Sequence, residues 1–264
     1  MTGAPTITLT TDFGQEGPFV GVMKGVILTR LPGAQIVDLT HAIHAHWPAE
    51  AGFWLSRSWS YFPEGTVHVA VVDPGVGTAR DIVAAEMGGH TFLAPDNGLL
   101  PLVLRDNVER MHRLDMEWLE NQNWLPLSPT FHGRDIFAPL AANIASGTIH
   151  VADIGPVANK LVPCLLEEPM KSDNSIQGTV IAIDHFGNLI TNIDERLLES
   201  FNTPEAQAGG KRFTFHRTYG QRKPGEFMAL INSFGVVEIS RVESSAADSL
   251  GLGRGAPVLL REAR

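Results

Sequence analysis

Over about its first 160 residues the chain alternates short, β-branched, near-continuously apolar runs with longer stretches of helical periodicity, and no other feature limits its possible folds so sharply. Ile7 to Thr11, Ile36 to Leu39, Val67 to Val72 and Ile82 to Ala85 have the character of strands covered on both faces. Between them, Phe19 to Leu31 carries an apolar stripe and is stopped by Pro32 and Gly33, while Pro48 to Tyr61 opens with proline at a position that tolerates it. Leu99 to Arg105 and Ile136 to Ala145 also read as helices. The fold class expected is α/β, with an N-terminal, mostly parallel sheet flanked by helices.

The pattern changes after Leu161. The segment to Ser175 contains Pro163, Pro169, two glutamates and Ser172-Asp173-Asn174, and follows neither period. From Gln177 onward come short strands separated by Gly- and Asn-containing turns: Gly178 to Ile183, Leu189 to Asn192, Arg212 to Phe215, Met228 to Ile231, Val236 to Ile239 and Pro257 to Leu260. A small C-terminal antiparallel barrel or sandwich is the natural outcome, and a β-barrel is the expectation adopted. The predicted organisation is an N-terminal α/β domain over 1–165, a linker over 166–175 and the barrel domain over 176–264.

Composition narrows the function. Twenty basic against twenty-nine acidic residues give a net charge of -9, which argues against a nucleic-acid partner, since phosphate binding needs clustered Lys and Arg. No long uninterrupted apolar run is present, so no membrane partner is expected. The single cysteine, Cys164, excludes an intramolecular disulfide and any multi-cysteine cage within one chain. With no charged-then-apolar leader, the expected location is cytoplasmic.

The polar residues that carry chemistry sit where strands end. Asp12 closes the first strand in Thr11-Asp12-Phe13-Gly14, where open α/β sheets place ligands, although a helix cap has the same spacing. Asp73 closes the third strand and is followed by Pro74-Gly75-Val76-Gly77-Thr78-Ala79-Arg80, a turn able to double back and bring Arg80 to the carboxylate. That turn lacks both the Gly-Lys-Ser/Thr ending of a P-loop and the third glycine of a dinucleotide fingerprint, so it is not a phosphate loop. His132 precedes a helix in Phe131-His132-Gly133-Arg134-Asp135, facing either a cleft or a backbone carbonyl. His41, His44 and His46, with Asp38 nearby, have a spacing that could serve a metal, and would support a metal-dependent hydrolase. In Asp184-His185-Phe186-Gly187-Asn188, a ring to stack on a base, an amide to read its edge and a carboxylate to pair an ammonium lie together; the same residues also make a good hairpin turn.

Taken together, Thr11-Asp12-Phe13-Gly14, Val72-Asp73-Pro74-Gly75-Val76-Gly77, Ala94-Pro95-Asp96-Asn97-Gly98-Leu99-Leu100, Phe131-His132-Gly133-Arg134-Asp135, Asp184-His185-Phe186-Gly187-Asn188 and Asn232-Ser233-Phe234-Gly235 resemble the S-adenosyl-L-methionine (SAM) hydroxide adenosyltransferases. These are adenosine-forming SAM hydrolases, related to fluorinase and chlorinase. The resemblance implies attack of water or hydroxide at C5′ of SAM, giving adenosine and L-methionine, without metal or cofactor. It also implies a homotrimer with substrate sites between subunits.

Carried over by position, Asp73, Arg80 and His132 match the set that positions and polarises the attacking water, with either Asp73 or His132 as base. Asp12 matches the ribose-binding carboxylate, Phe186 and Asn188 the adenine contacts, and Asp184 with Ser233 the contacts to the amino-acid group; Asn97 is expected to line the same cleft. His46 or Trp47 falls at the ribose-stacking position, and Gly17 and Glu243 depart from the family pattern. The halogenating relatives lack the residues matching Asp73 and His132, and a carboxylate at Asp73 would repel a halide, so hydrolysis is the activity implied. A protein that binds SAM or adenosine without turning it over is the alternative.

Overall fold

In the computed structural model, which describes residues 3–124 and 126–263, the β-branched run Thr6–Thr11 (β1) is buried at every position. The chain divides into two units, one ending at Leu165 and the other beginning at Leu166. In the first, β1 is joined by β2 (Gln35–Thr40), β3 (Val67–Val71), β4 (Ile82–Met87), β5 (His90–Pro95) and β6 (Arg110–Arg113) in one sheet of order β2-β1-β3-β5-β4-β6. The pairs β2-β1, β1-β3 and β3-β5 are parallel, while β4 runs antiparallel to both of its neighbours.

The helices of this unit are α1 (Phe19–Arg30), α2 (Pro48–Ser58), α3 (Leu100–Leu104), α4 (Met116–Asn121) and α5 (Ala138–Ala145). One face of the sheet packs Ile7, Leu9 and Val69 against Met23 and Ile27 of α1 and Leu140 of α5. The other packs Val72 and Phe92 against Leu55 of α2 and Leu100 of α3. Each such fully buried side chain stabilises the fold by roughly 1.5–3 kcal/mol relative to exposure.

This order puts three carboxyl-terminal strand ends side by side. The chain passes from β1 to β2 on one side and returns to β3 on the other, so the strand order reverses between β1 and β3, the place where sheets of this kind leave a crevice for ligands. Asp12 follows β1, Asp73 follows β3 and Asn97 follows β5, all at one edge of the sheet.

Several elements differ from the sequence reading. The run Ile36 to Leu39 lies in an edge strand, β2, whose residues are exposed or only half-buried rather than covered on both faces. The helix expected from Ile136 starts earlier, as a π-helical turn over Gly133–Phe137 that runs into α5. β5, β6 and α4 were not anticipated; α4 is capped by Asp115, whose carboxylate accepts the Glu117 and Trp118 N–H groups.

The second unit is an antiparallel sheet of β7 (Met170–Ser172), β8 (Ser175–Ile183), β9 (Leu189–Asp194), β10 (Pro204–Ala208), β11 (Lys211–Thr214), β12 (Phe227–Ile231), β13 (Val236–Arg241) and β14 (Pro257–Glu262), with a short helix α6 (Ala246–Leu250) before the last strand. Its order is β11-β10-β14-β8-β9-β13-β12, with β7 also on β8. Residues 166–175, expected as a linker, therefore contribute β7 and the first residue of β8. A bridge between Phe215 and Ala229, with His216 N–H donating to the Ala229 carbonyl at 2.9 Å, ties the end of β11 to β12. The sheet thereby curls into a nearly closed barrel around Val180, Phe213, Val237 and Leu260. No helix among the described residues is long and apolar enough to cross a membrane.

Candidate active site

The turn after β3 doubles back as its glycines allow. Val76 N–H donates to the Asp73 carbonyl at 3.2 Å and Thr78 N–H to the Gly75 carbonyl at 3.1 Å, which returns Arg80 to the carboxylate. Arg80 Nε lies 3.1 Å from Asp73 Oδ1 and 2.9 Å from Oδ2, and Nη2 donates to Oδ2 as well. The Asp73 side chain is 3% exposed and that of Arg80 11%, so each charge needs the other: an unpaired ion at such a position is strongly destabilising.

His132 arrives from a separate loop. Asp135, fully buried, accepts the Ser128 N–H at 2.8 Å and closes the segment that carries the histidine. This loop lies directly on the Asp73 turn at Gly77. There φ is +76° and a Cβ would stand 2.1 Å from the Pro129 carbonyl oxygen, an approach only glycine permits. The contact brings His132 Nδ1 to 2.8 Å from Arg80 Nη2. A guanidinium only donates, so Nδ1 is the acceptor, and the neutral imidazole carries its proton on Nε2. Burial, and then the Arg80 charge, hold the His132 pKa below the ordinary histidine value, outweighing Asp73 and Asp135.

Asp12, on the neighbouring strand end, is not a helix cap: α1 begins after Pro18 with no side-chain cap. Its Oδ2 instead accepts the His46 N–H at 3.0 Å, where His46 adopts φ +64°. Behind that loop, buried Glu50 accepts the His44 N–H at 3.1 Å. Asn97 Nδ2 donates to the carbonyl of Val72, the residue before Asp73, at 2.8 Å, while its Oδ1 is buried without a partner. The indole N–H of Trp47 is likewise buried and unsatisfied. Both are polar atoms for which a bound molecule or water is the remaining partner.

The histidines proposed as metal ligands do not converge. His41 is buried, with Nδ1 2.9 Å from Thr11 Oγ1 and Nε2 3.0 Å from Asp38, whereas His44 and His46 are exposed. Among the described residues no group of three or more His, Cys, Asp or Glu side chains is placed to hold a metal ion.

In the second unit, Asp184 closes the loop between β8 and β9. Its Oδ1 accepts the Phe186 and Asn188 N–H groups, each at 2.9 Å, and its Oδ2 the Asn188 side-chain amide at 2.9 Å. Phe186 is left 73% exposed, while Asn188 is buried. Ser233 is exposed in the turn between β12 and β13. Gly133, beside His132, has no spare room: a Cβ would stand 3.1 Å from Met23 Sδ and 3.2 Å from the Phe131 ring.

Two family models cover most of the chain: the SAM hydroxide adenosyltransferase N-terminal domain matches residues 7–155 and the corresponding C-terminal domain residues 178–259. The chain belongs to the SAM hydroxide adenosyltransferase family. Within it, the chain is 39% identical over 255 residues to an (R)-S-adenosyl-L-methionine hydrolase of Thermus thermophilus, covering 95% of this chain and 97% of that protein. It is 35% identical over 261 residues to one from Methanocaldococcus jannaschii, covering 93% and 92%. A fluorinase of Actinoplanes sp. is 29% identical over 227 residues, covering 75% and 74%. An uncharacterized conserved protein from Thermotoga maritima has a crystal structure that superposes with a TM-score of 0.87 at 30% identity, covering 97% of this chain and all of that one.

Sequence reasoning missed Glu50 and the His46 backbone contact to Asp12 in this family member. The signal available for Glu50 was its place in the first turn of a helix directly after the histidine loop.

Proposed function

We propose that this chain hydrolyses S-adenosyl-L-methionine to adenosine and L-methionine by in-line attack of water at C5′ of the ribose. The observation that carries this reading is the trio of Asp73, Arg80 and His132 at the strand edge, beside Asp12. Expelling a neutral thioether from a sulfonium needs no general acid, so the task of the protein is to activate and aim the nucleophile.

With His132 Nδ1 occupied by Arg80, its Nε2–H is a donor to the water oxygen and not a proton acceptor. Asp73, aimed by the hydrogen bonds of Arg80, then takes the proton. The water oxygen forms the bond to C5′, the C5′–S bond breaks with its electron pair going to sulfur, and the proton lost by water passes to the Asp73 carboxylate. Asp12 holds the ribose hydroxyls, and Asn97 lines the same cleft. Phe186 and Asn188 hold the adenine, and Asp184 with Ser233 the amino-acid group. The proposed chemistry calls on neither a metal nor a cofactor.

We further propose a cytoplasmic homotrimer with substrate sites between subunits. Exposed apolar side chains are available for the association: Phe19, Val22 and Leu28 of α1 are 49%, 38% and 46% exposed, and Val37 of edge strand β2 is 37% exposed. Light scattering on the purified protein is expected to give three times the chain mass of 28.6 kDa.

The chemistry is tested by incubating the chelator-treated protein with SAM in water enriched in oxygen-18. Adenosine labelled at its 5′-oxygen and unlabelled methionine are expected. Intact SAM with binding still detectable by calorimetry would assign the chain a binding role instead.

A further inference from the structure

Glu238 is a carboxylate buried to 3% exposure on β13, and no Lys or Arg among the described residues pairs with it. Three donors hold it instead. Tyr219 Oη and Ser240 Oγ lie 2.6 Å from its Oε1, and Asn232 Nδ2 lies 3.2 Å from Oε2.

Because a carboxylate only accepts, it dictates the orientation of each partner. Asn232 must turn its amide nitrogen toward Glu238, which leaves Oδ1 to accept the Phe234 N–H at 3.0 Å and the Val236 N–H at 3.4 Å. That is the turn carrying Ser233. The Tyr219 proton is likewise committed to Glu238, so toward any further partner its oxygen can only accept. Burial, Glu238 and the neighbouring Asp184 charge all push the Tyr219 pKa up, keeping the phenol protonated. Asp184 has no cationic partner among the described residues either; its three bonds are to its own loop, and Oδ2, with a single donor, keeps acceptor capacity.

We propose that Glu238 is a specificity-determining positioning residue: by fixing Tyr219 as an acceptor and locking the Asn232–Gly235 turn, it supplies, with Asp184, acceptors matched to the ammonium end of a cationic substrate. The inference rests on the proposed SAM reading and deepens it. Asp184 supplies the charge facing the ligand, and Glu238 acts through Tyr219 and Asn232 without touching it.

The test compares wild type with Glu238→Gln and Tyr219→Phe. Glutamine keeps the volume but can donate as well as accept, so it no longer dictates the orientation of Tyr219 and Asn232. Steady-state kinetics with SAM are paired with calorimetry of L-methionine and of adenosine, and thermal melting checks folding. The expected result for both variants is a KM for SAM raised about tenfold with kcat within about twofold, methionine binding weakened and adenosine binding unchanged. If both variants keep the wild-type KM and methionine affinity, or lose adenosine and methionine affinity in equal measure, the proposal is overturned. Should wild type fail to turn SAM over, the functional reading falls on its own. The methionine calorimetry still judges Glu238 in that case, because unchanged affinity in the variants overturns its role.

Discussion

Arg80 Nη2 lies 2.8 Å from His132 Nδ1, joining residues 52 apart in sequence, and this contact decides which nitrogen of the imidazole carries a proton. A neutral ring with its hydrogen on Nε2 orients water without taking its proton. His132→Ala is expected to lower kcat by about 10²- to 10³-fold, the usual range for loss of one positioned hydrogen-bond donor. His132→Gln, which places an amide donor near the Nε2 position, is expected to retain at least about tenfold more activity than alanine. Since burial and Arg80 depress the His132 pKa, kcat/KM is expected to hold steady as pH falls through the ordinary histidine value and to drop only below it. Equal activity of the Gln and Ala variants would contradict the donor role.

The approach of Gly77 to Pro129 sets the distance between the two halves of this trio. Gly77→Ala puts a methyl group 2.1 Å from a carbonyl oxygen at φ +76°, so the two loops must part. The expected cost is about 1–3 kcal/mol in stability, as for other strained left-handed positions. A fall in kcat accompanies it, because His132 moves off Arg80. Urea unfolding and steady-state kinetics on the same preparation check both, and unchanged kinetics with reduced stability would show that the His132 position does not depend on this contact.

Far from the site, His68 on β3 is fully buried between Thr8, at 2.8 Å from its Nδ1, and His90, at 3.1 Å from its Nε2. Burial first, and His90 second, push its pKa down to about 3. The unfolded chain takes up this proton near pH 6.5 and the folded chain does not until near 3, so the stability contributed is complete above 6.5 and is lost as pH falls between the two. From pH 6.5 to 5 the loss from this group is about 2 kcal/mol. Urea midpoints at the two pH values are expected to diverge in wild type and to diverge less in His68→Asn; identical pH slopes in the two proteins would contradict the assignment.

Residues that act locally were legible, and those that meet across the fold were not. The runs Ile7 to Thr11 and Val67 to Val72 announce β1 and β3 because both faces are covered, which favours sequence rich in β-branched and apolar residues. β2, at the sheet edge, has no such constraint, and its exposed Val37 and Asp38 could not be told from buried positions. Asp73 and Arg80 could be joined on paper because a glycine-bearing turn is all that separates them. His132 and Arg80 needed the Gly77–Pro129 contact, which no local pattern signals. Glu238 was invisible for the same reason: its partners Tyr219, Asn232 and Ser240 lie on a loop, a turn and a strand, with nothing periodic connecting them. The roles proposed for residues that spacing alone left open rest on the motif segments shared with the family.

The central claim is that the Asp73 carboxylate takes the proton of the attacking water. The most direct measurement is single-turnover hydrolysis of SAM by Asp73→Asn alongside calorimetric binding of SAM to the same variant. Asparagine keeps the shape and an acceptor for Arg80 while removing the basic oxygen. A rate lower by on the order of 10³-fold, with affinity within about threefold of wild type, is the outcome expected of a proton acceptor. A variant that still hydrolyses SAM within about tenfold of the wild-type rate would contradict the claim and move the proton to another group.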